Sequence, residues 1–486
     1  MARGRPRQFP NKEYVNISFR KRKDDYLDVL EIKSRYDEKL GNNRAHSCKK
    51  LGVVPKNHAD WEKEIIRVGT PEMAEFTRKA RMRRWPDKLK KEAPEAISQT
   101  ASQIPDERQE AKVVFPMRIV VMVILMAAMT GVTSSYKIAE FWKTFRPIFE
   151  IIFPGFPKED ISHDTIRRVI QILGRSDNEK FILGLTGPLI KEGQRRQIVI
   201  DGQAVNASEI EGSKPYLFNV YDVTNGMVLS QKLIGAKKNE ISECVNLVCS
   251  LDLRGCVLTA DALNTQKKLT EELITNKKCD YCLALKENHK GIYGEVKTLF
   301  DLESGVQKRK GHPGAKIWES KTPEAVDKAH GRYEERKVRV LPANLLDKST
   351  LTGWEGLEMG ILVEATTTGT VTKTGATSTE KRYFISSLDS QAANIAQDIM
   401  TIIRNHWGIE NKLHWVLDTT FLQDRLQCTN AEYLVGRALI LKVANNWLTA
   451  FQLNESKDPE RRASKEQWKV RCMDIKKTWE RICKLL

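Results

Sequence analysis

Three acidic residues stand out by type and setting. Asp201 closes the apolar run QIVID, Asp261 follows the run CVLTA, and Glu410 lies within RNHWGIEN. Hard divalent cations such as Mg2+ take oxygen ligands, so a protein that holds them must bring carboxylates from several rigid elements to one point. Two such ions about 3.5–4 Å apart activate an attacking oxygen and hold a departing one, which is what breaking a phosphodiester bond requires. If the strands bearing Asp201 and Asp261 are neighbours in a sheet, the two side chains lie at adjacent strand ends. An acid on a helix packed across that edge would complete the set, and Glu410 is the candidate. Residue types alone leave blander readings open. The chain holds 63 acids, an Asp at a strand end is often a turn cap, and a Glu in mid-helix is usually solvated.

The elements that would position these residues can be read from periodicity. Strands are expected over 197–201, 217–223 and 227–234, the last two joined by Asn225-Gly226, a strong hairpin signal. An amphipathic helix over 240–251 precedes a strand over 256–260. A helix over 265–276, a strand over 280–286 and a helix over 289–300 come next. Residues 301–388 are rich in Gly, Thr and Lys, with strand-like pieces at 333–340, 359–365 and 382–386, and read as a β-rich insertion. One helix is expected over 394–417, carrying Glu410 and anchored by Trp407, Leu413, Trp415 and Leu417, and another over 431–453. From 455 onward, Trp468, Cys472, Ile475, Trp479, Ile482 and Leu486 recur at helical spacing and read as one amphipathic helix.

Ahead of this block, residues 113–190 read as helical, over 119–129, 135–145 and 163–173, with a break at Pro154-Gly155-Phe156-Pro157. They suit a helical bundle packed on the next domain, or a helix-turn-helix-like unit with Arg167 and Arg168 exposed. The first 110 residues are polar and basic, with helical pieces expected over 25–40 and 61–84. Arg3-Gly4-Arg5-Pro6-Arg7 is similar to an AT-hook core, in which Arg3 and Arg5 would enter a narrow minor groove; a solvated basic tail is the alternative.

Bulk composition narrows the partner. Lys and Arg number 80 against 63 acids, a net charge of +17. Such a surplus favours a polyanion, because each neutralised phosphate releases a condensed counterion. A membrane is disfavoured: the longest apolar run, 119–129, falls well short of the roughly 20 residues that span a bilayer. The N-terminus lacks the apolar core of a signal peptide. Nine cysteines in 486 residues do not form a disulfide scaffold. Cys279 and Cys282 have CxxC spacing but no second pair at zinc-site distance, and read as structural.

Residues 115–450 resemble the transposases of bacterial insertion sequences, in the ISAs-type or H-repeat-associated group. The resemblance rests on IVIDGQ, LRGCVLTADALNTQK, DYCLALKENH and, most specifically, HWGIENKLHWVLDTTFLQDR. MTGVTSSYKIAEFW and ISHDTIRRVIQ are similar to the helical N-terminal domain of that group. The family implies an α/β, ribonuclease-H-like catalytic core with a β-rich insertion before the last acid. It also implies Asp201, Asp261 and Glu410 as catalytic and metal-binding residues, and so selects Glu410 over Asp418 and Asp424. Two Mg2+ ions per site (Mn2+ can substitute) would serve hydrolysis at the transposon end and then attack of a 3′ hydroxyl on target DNA. The domains expected are 1–112, 113–192, 193–300, 301–390, 391–453 and 454–486.

The sequence also departs from the family. Gln203 stands where Lys is usual, and Glu287 where Gly is usual. The wider signature of a Tyr, an Arg and a Lys around the Glu is replaced by Ile403, His406 and Leu417. Lys286, His406, Asn411, His414 and Arg425 are therefore the candidates for gripping DNA, with structural roles as alternatives. Partners expected are terminal-repeat and target duplexes and further copies of the chain. The compartment would be cytoplasmic, at the nucleoid, in a bacterium, or the nucleus in a eukaryote. Other functions compatible with the residues are a decayed transposase that only binds DNA and a structure-selective nuclease on the same core.

Overall fold

A computed structural model describes residues 13–21, 26–37, 42–55, 95–108, 113–153, 155–190, 195–234, 240–306, 318–321, 325–327, 332–371, 374–456, 458 and 462–486. Arg3, Arg5 and the helix expected over 61–84 lie outside them. The chain divides into two compact units, the smaller comprising residues 1–91 and 149–154. There, β1 (Glu13–Lys21), β2 (Tyr26–Asp37) and β3 (Asn42–Pro55) make an antiparallel meander. This corrects the helix expected over 25–40. In that stretch charge recurs at every second position, at Glu31, Lys33, Arg35 and Asp37, and the apolar Val15, Ile17 and Phe19 recur likewise in β1. That period of two belongs to a pleated strand.

The larger unit opens with helices: α1 (Glu95–Ser102), α2 (Met117–Met129), α3 (Ser135–Ile152), α4 (His163–Arg175) and α5 (Asn178–Thr186). Every residue of α2 except Arg118 is buried, so the longest apolar run is core. No helix among the described residues is long and apolar enough to cross a membrane. The covering element is α11 (Ala431–Glu455), which packs on α2, α4 and α5. It crosses α4 very closely. A Cβ on Gly436 would lie 1.8 Å from the Ile170 carbonyl oxygen, and one on Gly174 would lie 1.9 Å from that of Glu432. These contacts fit the bundle reading; Ile166, Val169, Ile170, Ile172 and Leu173 make the buried face of α4.

The sheet comes next. Strands β4 (Gln197–Ala204), β5 (Tyr216–Asp222) and β6 (Met227–Ile234) run antiparallel in sequence. The β5–β6 turn uses Gly226 at φ +71°, as the Asn-Gly pair requires. After helix α6 (Glu240–Ser250), β7 (Val257–Ala260) pairs parallel with β4. After α7 (Lys267–Glu271), β8 (Asp280–Leu285) pairs parallel with β7 and leads into α8 (Lys290–Val306). The order β6-β5-β4-β7-β8 is that of a ribonuclease-H-like core, which is the fold of this mixed α/β unit. One face is filled by Ile198, Ile200, Phe218, Val248, Leu258, Leu269, Val296 and their neighbours.

The later strands do not fold apart. β9 (Trp318–Lys321), β10 (Ala325–Asp327), β11 (Arg332–Pro342), β12 (Ile361–Val371) and β13 (Thr377–Ser386) extend the same sheet beyond β8, through β13. Val338, Val340, Ile361, Val363 and Cys282 then form an apolar floor. On it lie Ile395, Ala396, Ile399 and Met400 of α9 (Ile395–His406). The strands added to the core thus support the helix that leads to Glu410.

The C-terminal stripe is two helices rather than one, α12 (Lys465–Arg471) and α13 (Ile475–Leu485). Asp474 ends the continuity by capping α13, its side chain accepting from the Lys477 backbone N–H. Trp468, Cys472, Ile475, Trp479 and Ile482 are all buried, so the stripe is covered by its own unit.

Lys442 on α11 is fully buried and donates from Nζ to Gln231 Oε1 on β6. Burial pushes its ammonium down from 10.5 to about 7. Above the unfolded value the side chain is neutral in both states. As pH falls from about 10.5 to about 7 the unfolded chain takes the proton and the folded one resists it, so stability is lost across that window and stays lost below it. Lys442→Met should therefore unfold at higher urea at neutral pH, by about 2 kcal/mol after the lost hydrogen bond. The advantage should vanish towards pH ~10. A gap between the two proteins that does not change with pH would contradict this.

Candidate active site

Parallel pairing of β4 with β7 ends at Ile200 opposite Ala260. Asp201 and Asp261 are the next residues, so the two carboxylates leave the carboxyl ends of adjacent parallel strands, where open α/β sheets place their ligands. β4 itself runs on to Ala204, and Asp201 pairs there with Asn219 of β5. Asp261 also acts as a turn cap: its Oδ1 accepts from the Asn264 backbone N–H at 3.2 Å and from Asn264 Nδ2 at 2.8 Å. One strand further along, β8 ends at Leu285 and leaves Lys286 exposed.

Glu410 is not in the middle of one continuous helix. α9 stops at His406, the chain turns at Trp407, and Glu410–His414 form a π-turn that runs into α10 (Trp415–Thr419). A π-turn adds a residue and rotates the residues beyond it, and such bulges recur at functional sites. Here it changes the exposed face. Ile409, Leu413, Val416 and Leu417 are buried. Trp407 and Trp415 are instead 41% and 61% exposed, and do not anchor the helix as expected. Gly408 lets the segment approach the sheet, since a Cβ there would meet Val223 Cγ2 at 2.4 Å. His406 Nδ1 to Thr259 Oγ1 at 3.0 Å, and Gln197 Nε2 to the Ile402 carbonyl at 2.7 Å, tie α9 to β7 and β4. Partial burial pushes the Glu410 carboxyl up, while the nearby Arg382 guanidinium opposes that shift.

The two histidines turn inward. His406 and His414 are buried enough that their imidazoles are pushed down to about 4 and about 3. They are therefore uncharged at neutral pH and offer no cation to a phosphate. His414 lies between Asp201 and Asn219, with Nδ1 3.7 Å from Asp201 Oδ2 and Nε2 3.2 Å from Asn219 Nδ2. Asn411 and Arg425 are exposed. The neighbouring acids are engaged elsewhere. Asp418 accepts from Gln203 Nε2 at 2.9 Å on both oxygens, and Asp424 accepts from the Asn206 backbone N–H and Nδ2. Among the described residues, no three His, Cys, Asp or Glu side chains close into a ready ligand cluster.

Two residues beside the carboxylates were not singled out in the sequence. Arg382 on β13 lies 5.0 Å from the centre of the Trp407 ring and pairs with Glu380 at 2.8 Å. Its string, EKRYFISS, reads only as a strand. Asn219 is fully buried in the middle of the YLFNVYD strand, between Phe218 and Val220; a polar residue interrupting such a run was the available signal.

Comparison with known proteins shows the family. The family model described as "Transposase DDE domain" matches residues 192–447, and one described as "DDE_Tnp_1-associated" matches residues 99–183. The chain is similar to the "H repeat-associated putative transposase YhhI" of Escherichia coli, at 27% identity over 326 residues, 66% of this chain and 82% of that protein. It is similar also to the "Putative transposase YncI" of the same species, at 28% identity over 358 residues, 71% of this chain and 85% of that protein. Since the DDE-domain match covers more than half of its length, the chain belongs to the DDE transposase family and resembles the H-repeat-associated members of that family.

Proposed function

We propose that this protein cuts transposon ends and joins them to target DNA, using Asp201, Asp261 and Glu410 as its catalytic and metal-binding residues. The observation that carries the reading is the placement of Asp201 and Asp261 at the ends of adjacent parallel strands. Glu410 comes from a segment held over the same sheet. Three carboxylates are a hard, anionic oxygen set and suit Mg2+, or Mn2+ in its place. When bound, two such ions would activate the attacking oxygen and neutralise the leaving one. The side chains are not gathered beforehand, so assembly of the site belongs to the complex with DNA and cation.

The protein's own residues do the rest. Asp261 keeps its orientation through Asn264. Glu410 rides on a π-turn whose buried side chains fix its direction. Water attacks at the transposon end and frees a 3′ hydroxyl, and that hydroxyl then attacks a target phosphodiester; no covalent protein–DNA bond forms. The exposed Arg382, Lys286, Asn411 and Arg425, with Trp407 and Trp415, make the surface offered to duplex DNA around the site. Bringing two ends together calls for two or more copies of the chain.

The reading is tested by nicking of a duplex that carries the element's own terminal repeats, with and without Mg2+. Arg382→Ala should weaken binding to all sequences alike and reduce the slope of log K against log salt by about 1, the removal of one phosphate contact. An unchanged slope would remove Arg382 from the DNA surface.

A further inference from the structure

Asp201, Asn219 and Gln231 stand opposite one another across β4, β5 and β6, so their side chains share one face. That face is closed by His414 at one end and by Lys442, bonded to Gln231, at the other. Asn219 is fully buried, its Oδ1 has no hydrogen-bond partner among the described residues, and its Nδ2 makes the contacts. Its Nδ2 donates to the Leu217 carbonyl at 3.3 Å, and a carbonyl can only accept. The same Nδ2 faces His414 Nε2 at 3.2 Å. An NH2 group cannot accept either, so Nε2 must be the bare nitrogen of the ring. The imidazole proton then sits on Nδ1, which faces Asp201 Oδ2 at 3.7 Å. The His414 side chain is only 12% exposed, which leaves little room for another arrangement.

We propose that His414 is a positioning residue for Asp201, held as its Nδ1–H tautomer by Asn219. Its proton steadies one oxygen of the carboxylate. At 3.7 Å the contact is electrostatic rather than a hydrogen bond. Asn219 acts one step further out, through the histidine alone. This arrangement is the carboxylate–imidazole pairing by which outer groups orient metal ligands. The inference rests on the reading of Asp201 as a ligand, but its tautomer claim does not.

Two measurements on the full chain separate these claims. In protein labelled with 15N-histidine, with His414 assigned by its loss in His414→Asn, the spectrum should show a protonated Nδ1 and a bare Nε2. A proton on Nε2, or on both nitrogens, would overturn the tautomer. The second measurement uses a pair of variants. Asn places its amide where Nδ1 was, whereas Gln places its amide where Nε2 was. Mn2+ is titrated calorimetrically into the complex with terminal-repeat DNA. His414→Asn should bind within about threefold of the wild type, while His414→Gln should lose about 10- to 100-fold. In turnover with Mg2+, His414→Gln should lower kcat and leave KM for DNA unchanged. Equal behaviour of the two variants would reduce His414 to packing. Unchanged Mn2+ affinity in Asp201→Asn would instead sink the ligand assignment, with the His414 spectrum standing.

Discussion

Asp201→Ala and Glu410→Gln should each lower end cleavage by about a thousandfold or more, which corresponds to roughly 4 kcal/mol of transition-state stabilisation, while DNA binding and folding persist. Glu410→Gln keeps the volume of the side chain and removes only its charge. Glu410 is exposed, and its segment is anchored by Ile409, Leu413, Val416 and Leu417. The fold therefore has no stake in that carboxylate. Asp201 lies just past the end of the β4–β7 pairing and is only partly buried, while the buried neighbours Ile198 and Ile200 hold the strand. Asp418→Asn is the contrast. Both of its oxygens already accept from Gln203, so it should retain most cleavage. Gel-shift and nicking assays on the same preparations separate binding from chemistry. Full cleavage by either of the first two variants would contradict the assignment.

The second large effect falls on stability. Arg339 and Glu364 face each other across β11 and β12, at 2.8 and 2.6 Å, with side chains only 9% and 3% exposed. Lys381 and the Tyr383 hydroxyl also reach Glu364. Glu364→Leu leaves the Arg339 guanidinium buried between Phe300 and the strands without its carboxylate. Removing one partner of such a pair costs about 3–5 kcal/mol, because the remaining charge is stranded in a poor dielectric. Lys381, being half exposed, can turn to water and adds little to that cost. Replacing both residues, Arg339→Leu with Glu364→Leu, should recover most of the loss. Guanidinium unfolding of the single and double variants measures this, and equal stability of all three proteins would contradict it. The consequence reaches the site, because β11 and β12 are the floor on which α9 lies.

The parts of this molecule that were legible in sequence are those set by local pattern. The apolar runs before Asp201 and Asp261, the Asn225-Gly226 hairpin and the long helix over 431–453 all announce themselves within a few residues. The features that escaped depend on distant contacts or on a change of period. That β13 would pair with β8 and carry the later strands onto the core sheet is a long-range choice, with no local signature. The π-turn at Glu410 breaks the 3.6-residue period, so the expectation that Trp407 and Trp415 face inward tracked the wrong helix. For His406 and His414 a DNA-gripping and a structural role were both open, because the strand polar atoms that receive them, Thr259 and Asn219, lie far away in sequence. The β1–β2 hairpin was visible as alternation at Val15, Ile17 and Phe19, but the density of charge around it obscured the signal.

Whether the three carboxylates drive transposition is decided by the joining reaction itself. Purified protein, a duplex ending in the element's terminal repeat and a supercoiled target plasmid are incubated with Mg2+, and with EDTA in parallel. End DNA should become covalently joined to plasmid through its 3′ strand, only in the presence of the cation and only with Asp201, Asp261 and Glu410 intact. Nicks without joined product, or joined product in EDTA, would rule out that chemistry.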